Sequence, residues 1–290
     1  MDFLEIFECP SCHVSLEGAV TEGTREKPIK GNLMCPKCGF FYPIENEALI
    51  FIPKSERIKE FWQKDASKLP EILKYERKYK AALSQPERKI YEQALALLET
   101  EVRSYFRGGF AVELASSKGT FIRQFILRPF NGTYILSDFS LTYLHWLREV
   151  LEEDKDEKNE LRYVVADARM LPFSKGALTL VVSSLGFLNV PRAGKIFERI
   201  YEVLKDDGVF VGKFLWINNP EAEKALAADE FKLDTFVSKE KTINALKDAG
   251  FRVRVKQTAE VSATGNEYDT FPKAGDKYSF GIVTGLKASE

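Results

Sequence analysis

From Phe110 onward the chain alternates short, continuous apolar runs with longer amphipathic segments. The runs at 110–114, 134–137, 162–165, 178–183 and 208–214 have strand length and predict buried strands. The segments between them predict crossover helices. The pattern therefore predicts an α/β fold: a doubly wound, mainly parallel sheet with helices on both faces. The end of the chain differs. A helix at about 239–249 stops at Gly250, and Phe251–Val261 and Tyr278–Lys287 then read as two long strands. Their polar, glycine-rich connection predicts an antiparallel terminal hairpin at the sheet edge.

Upstream of Phe110 two further regions separate, giving boundaries at 1–53, 54–107 and 108–290. The first holds every cysteine and short extended runs such as Asn32–Met34 and Ala48–Ile52. The second reads as helices. Ile58, Phe61, Trp62, Ala66 and Leu69 recur at helical spacing until Pro70, which breaks the run and can open another helix. A third helix opens near Pro86, presents Tyr91, Ala94, Leu95, Leu98, Val102 and Phe106 on one face, and stops at Gly108-Gly109.

Composition narrows the function classes. A hydrophobic share of 44% and a charged share of 29% are those of an ordinary globular protein. The net charge of −1 supplies no overall field to attract nucleic acid. The first twelve residues lack the apolar run of a signal peptide, and no stretch is long and apolar enough to span a membrane. A cytoplasmic location is the expectation.

All four cysteines fall in two turns, Cys9-Pro-Ser-Cys12 and Cys35-Pro-Lys-Cys38-Gly39, separated by 22 residues. Each turn presents two sulfurs to one ion, and two turns complete a tetrahedral shell that suits a single structural zinc. A segment this small cannot bury enough surface to fold on its own core. Gly39 supplies a permissive backbone after the second turn, and His13 stands in its place after the first. Arg25, Lys27, Lys30 and Lys37 are candidates to offset the charge of four thiolates. Cys9-Pro-Ser-Cys12-His13 also fits a haem-attachment pattern, but that would leave the second turn unexplained.

The strand at 110–114 ends in Glu113-Leu-Ala115-Ser116-Ser117-Lys118-Gly119, a small-residue turn opening a helix. Asp138 follows the second strand, and Asp167-Ala168 follow the third. Ligands of open parallel sheets bind at these strand ends, where a tight turn lets backbone approach a ligand and acids can take hydroxyl and amino groups. With Leu171-Pro172-Phe173, Val181-Val-Ser183-Ser184 and Val203-Leu-Lys-Asp-Asp-Gly208, the stretch 110–215 resembles class I S-adenosylmethionine-dependent methyltransferases, and 251–287 resembles their terminal hairpin. The resemblance implies that Glu113 fixes the turn and the cofactor's amino end, with Ala115, Ser117 and Gly119 forming the turn. It implies that Asp138 holds the ribose and Asp167 with Ala168 the adenine. Ser183 and Ser184 would line the cleft where the methyl group emerges.

The chain departs from the family in two places. The family's turn carries glycines where Ala115 and Ser117 stand, and Thr179 replaces an acid at the start of the fourth strand. The layout of ribbon, helices and catalytic domain is similar to that of zinc-ribbon rRNA guanine methyltransferases, which implies an RNA acceptor. Lys74, Arg77, Lys78 and Lys80 would meet its phosphates. Methylation of a small molecule is the rival enzyme reading. A non-catalytic scaffold that kept the fold while its first turn decayed is the alternative of a different class. The sequence presents no general acid or base, and alignment of nucleophile and methyl donor supplies much of the rate of such reactions. Oligomeric state is not legible in it.

Overall fold

The structure, a computed structural model, describes residues 2–52, 69–190, 195–228, 233–265 and 271–288. The helical spacing read at Ile58–Ala66 lies outside these residues. A 3-10 turn at Phe3–Ile6 leads into β1 (Glu17–Gly23), β2 (Pro28–Met34), β3 (Phe41–Glu45) and β4 (Ala48–Ile50). Helices α1 (Leu69–Ala82) and α2 (Gln85–Tyr105) precede β5 (Phe110–Leu114), α3 (Ile122–Phe125), β6 (Thr133–Asp138), α4 (Leu141–Asp154), β7 (Glu160–Val165) and β8 (Leu178–Ser184). The chain continues through α5 (Ile196–Val203), β9 (Leu204–Ile217), α6 (Pro220–Ala228), α7 (Asp234–Val237) and α8 (Lys239–Asp248). It ends with β10 (Arg252–Gln257), β11 (Val261–Ser262) and β12 (Lys277–Leu286).

The strands form one sheet in the order β1-β2-β3-β4-β7-β6-β5-β8-β9-β12-β10, with β11 beside β12. From β4 to β9 every pairing is parallel. The flanks are antiparallel on both sides, so the sheet is mixed. The cysteine-bearing strands are not set apart from the α/β part. Ala48, Leu49 and Ile50 of β4 lie opposite Tyr163, Val164 and Val165 of β7 and extend the same sheet.

The terminal strands pair as an antiparallel edge, and the long strand expected at 251–261 is split. Gln257 faces Gly281 but Val261 faces Tyr278, so one extra residue has entered that side. This is the signature of a bulge, which breaks the ladder and turns the strand.

Two apolar layers sandwich the sheet. One gathers the N-terminal Phe3, Ile6 and Phe7 with Phe173, Phe187, Phe197, Phe210 and Phe236. The other packs α2 and α4 against Tyr134, Leu136, Val182, Val211 and Phe280. Helix α2 starts where Pro86 predicted and sets Ile90, Tyr91, Ala94, Leu98 and Val102 against the sheet. Its first turn is pinned by Glu87. That carboxylate accepts from the Ser84 amide (2.9 Å), the Thr264 hydroxyl (2.7 Å) and the Tyr278 hydroxyl (3.3 Å). The helix is thereby tied to the opposite end of the chain.

Candidate cofactor site and cysteine cluster

Chain order reverses between β5 and β8. The chain runs outward through β6 and β7, then returns to the other side of β5. Such a switch point opens a crevice at the carboxyl ends of the strands. The turn after β5 sits there, with Asp138 ending β6 and Asp167 two residues beyond β7.

Ala115 has φ of 51° and Ser117 has φ of 47°, and Gly119 follows at 67°. All three lie in the left-handed region that glycine adopts freely and other residues resist. The glycine pattern is lost from the sequence but retained in the backbone. Gly119 is held for a second reason: a Cβ there would come within 2.4 Å of Leu147 Cδ1 on α4.

Asp138 fixes the turn. Its Oδ2 accepts the Ser117 amide at 2.8 Å and its Oδ1 the Ser140 amide at 2.9 Å. Burial raises its pKa, opposed by these amides. The role expected of Glu113 therefore falls partly to Asp138. Glu113 makes no hydrogen bond to the turn among the described residues; it is buried, and its Oε2 accepts from the Tyr134 hydroxyl at 3.2 Å. Its carboxyl faces the α2 layer because its parity on β5 matches that of Ala111. Burial pushes it up to about 8, against the opposing influence of Tyr134 and Lys213.

Asp167 lies just beyond β7, and its carboxylate is clasped by its neighbour Arg169 through Nε at 2.9 Å and Nη2 at 2.5 Å. Ala168 is buried in the layer of Phe173 and Leu171. Ser183 and Ser184 alternate across the sheet and cannot serve one pocket in the same way: Ser183 is buried, and Ser184 is half-buried. Among the described residues the buried hydroxyls of Ser116 and Ser183 have no hydrogen-bond partner. Unsatisfied polar atoms flanking a left-handed turn at the switch point fit a polar ligand such as the expected cofactor.

Thr179 is placed far from this chemistry. Its Oγ1 donates to the Gly108 and Phe110 carbonyls, 2.9 and 3.0 Å away, at the amino end of β5. The missing acid there is a change at the other end of the strands.

The cysteines converge. All four Sγ atoms lie within 4.8 Å of one another, with Cys9 and Cys38 3.9 Å apart. Tetrahedral zinc with Zn–S of about 2.3 Å requires sulfurs about 3.8 Å apart. The two turns close alike, through His13 N–H to Cys9 O (2.9 Å) and Gly39 N–H to Cys35 O (2.8 Å). His13 and Gly39 both adopt positive φ, 53° and 71°. The Cys38 amide donates to Cys35 Sγ at 3.4 Å, as thiolate stabilisation requires. Taken as thiols alone, Cys12 is pushed up to about 12 by burial and its neighbouring sulfurs. Burial also works to raise Cys35, but the amides of Cys38 and Lys37 draw it down to about 7. Three of the four basic residues expected to offset the cluster are spent elsewhere: Arg25 on Asp2, Lys27 on Glu47 and Lys30 on Glu22.

One contact had no signal in the sequence. Arg199 on α5 donates from one Nη2 to Glu8 Oε1 (2.7 Å), Phe173 O (2.6 Å) and Leu171 O (3.1 Å). The same Glu8 oxygen binds His13 Nδ1 at 2.7 Å. The cysteine module is thus clamped to the loop that follows Asp167.

Residues 112–212 match the family model described as methyltransferase domain. Over this stretch the chain is similar to methyltransferase domains. A chloroplastic uncharacterized methyltransferase of Arabidopsis thaliana is 24% identical over 220 residues, which is 72% of this chain and 61% of that protein. A mitochondrial arginine-hydroxylase of Mus musculus is 34% identical over 102 residues, covering 35% of this chain and 27% of that protein. The chain thus spans less than two thirds of the length of these relatives. A phosphoethanolamine N-methyltransferase of Haemonchus contortus, solved with S-adenosylhomocysteine, superposes with a TM-score of 0.50 at 17% identity. The match covers 69% of this chain and 53% of that one and shows a shared fold. A stretch of similar sequence also belongs to a protein named for hydroxylation, so the likeness alone does not fix the reaction.

Proposed function

We propose that this protein transfers a methyl group from S-adenosylmethionine to an acceptor, and that its cysteine module carries one structural zinc. The observation that carries the reading is the turn at 115–119, left-handed at Ala115 and Ser117 and held by Asp138. A decaying scaffold would have no reason to keep a strained backbone that its side chains disfavour. Asp138 has lone pairs left for ribose hydroxyls, and the turn's backbone can approach the cofactor's amino-acid end. Asp167 can receive the adenine amino group by exchanging Arg169 for it. The cofactor supplies an electrophilic methyl on a sulfonium, and the protein's work is to align the nucleophile and exclude water. For an RNA acceptor, α1 presents exposed Lys74, Arg77, Lys78 and Lys80. No described helix is long and apolar enough to cross a membrane, and the thiolates of a zinc module are best kept in a reducing, cytoplasmic setting.

Calorimetry with S-adenosylhomocysteine tests the site. Wild type should bind, and Asp138→Ala should lose about 1.5–3 kcal/mol, roughly ten-fold to over a hundred-fold in affinity. Labelled S-adenosylmethionine incubated with cell extract should then mark either the RNA or the small-molecule fraction. Binding with no fraction labelled would favour the scaffold instead.

A further inference from the structure

Lys213 is a buried lysine in the middle of an apolar layer. It sits on β9, opposite Ser184 on β8, level with the start of the cofactor turn. Its Nζ lies 4.9 Å from the Tyr91 ring centroid and 5.3 Å from that of Phe280. Among the described residues no hydrogen-bond acceptor and no carboxylate within ion-pair distance meets it, and its side chain is only 2% exposed. A buried ammonium without an acceptor costs several kcal/mol, so such a group is kept only where something repays the cost. Glu113 shares the same sheet face two strands away, and its one partner among the described residues is the Tyr134 hydroxyl. Glu113 lies opposite Val182, which lies opposite Val211, so their strands are separated by roughly 10 Å. Each of the two feels the other's charge, yet they do not form an ion pair.

We propose that Lys213 takes the carboxylate of an α-amino acid whose ammonium is the group expected at Glu113, and so completes a clamp for that zwitterionic end. This rests on the reading of the site as an S-adenosylmethionine site, whose methionine end is that amino acid. A carboxylate seated on Lys213 would return the charge-assisted hydrogen bonds that burial removes. It would also give a turn that lacks two of its expected glycines a second anchor, holding the ligand from the neighbouring strands. Burial draws Lys213 down to about 7, with Glu113 opposing and Lys118 and Lys80 assisting. Glu76 opposes as well. A bound carboxylate raises the lysine again, so binding above neutral pH takes up a proton.

The test compares two probes by calorimetry on the zinc-loaded full chain: S-adenosylhomocysteine, and its decarboxylated amine, which keeps the ammonium but lacks the carboxylate. Wild type should prefer S-adenosylhomocysteine by ten-fold or more, and Lys213→Met should abolish that preference while leaving the amine's affinity within about three-fold. At pH 8, measured in buffers of different ionisation enthalpy, S-adenosylhomocysteine should take up more protons than the amine does. This second reading needs no variant and stands if Lys213→Met does not fold. Equal affinity of wild type for the two probes overturns the clamp, as does a variant that loses both ligands equally or an absent proton difference. Failure of wild type to bind either probe overturns the cofactor reading itself, which is a distinct result.

Discussion

Ser117→Gly puts the strained turn to a quantitative test. A non-glycine residue in the left-handed region costs about 1–2 kcal/mol. Glycine would relieve that cost but would add unfolded-chain entropy of about 0.4–1 kcal/mol. Ser117 is only half-buried, and no hydrogen bond of its hydroxyl is seen among the described residues, so little packing is lost. The net expectation is a gain of about 0.5–1 kcal/mol, which for a chain of this size moves the melting temperature up by roughly 1–4 °C. Ala115→Gly should differ. The Ala115 methyl packs against Gly186, where a Cβ would stand only 2.8 Å from it. Removing it forfeits about 0.8 kcal/mol of burial and cancels most of the relief. Urea unfolding of the zinc-loaded protein measures both, and the order matters as much as the size. A destabilised Ser117→Gly, or an Ala115→Gly that stabilises more, would refute the claim that the backbone strain at 117 is unrelieved.

The cysteine cluster should hold about one zinc per purified chain. Cys35→Ser should lose it and loosen the N-terminal strands, read by metal analysis and by proteolysis of residues 1–52; a metal-free wild type with that region intact would count against the module. Arg199→Ala removes four hydrogen bonds, three of them to Glu8, Leu171 and Phe173 and one to the exposed Glu202, from a side chain that is 15% exposed. It also takes the guanidinium from Glu8, whose carboxylate is 11% exposed. A loss of about 2–3 kcal/mol in urea unfolding is expected, and a loss below about 0.5 kcal/mol would show the clamp to be surface decoration.

Much of the fold was legible because its signals are local. Apolar runs marked every central strand, Pro86 marked the start of α2, and the paired cysteine turns predicted their own convergence. The bulge between β10 and β11 was not legible, since Thr258–Glu260 read as one more stretch of strand. The merger of the cysteine module with the sheet was missed for a related reason. Ala48–Ile52 has the composition of any buried strand, and nothing local tells it to pair with β7, over a hundred residues away. In the site, the sequence showed which acids follow the central strands, but not which of them ties down the turn. Which oxygen accepts the Ser117 amide depends on how the turn folds back, a matter of three dimensions. Lys213 was invisible because a lysine inside an apolar run looks like a flaw in the strand.

Joining β4 to β7 also decides where the sheet meets water. Without residues 1–52, β7 would be an outermost strand, with Leu161, Tyr163, Val164 and Val165 beside a row of unpaired backbone groups. Such an edge is a template on which other chains add. The N-terminal strands move that frontier to β1, whose residues are almost all exposed and whose pairing with β2 is interrupted by register shifts. Irregular, polar strands of this kind are poor templates. The cysteine module is thus a protective selvedge for the whole sheet, and trimming the chain to its matched domain would unpick it.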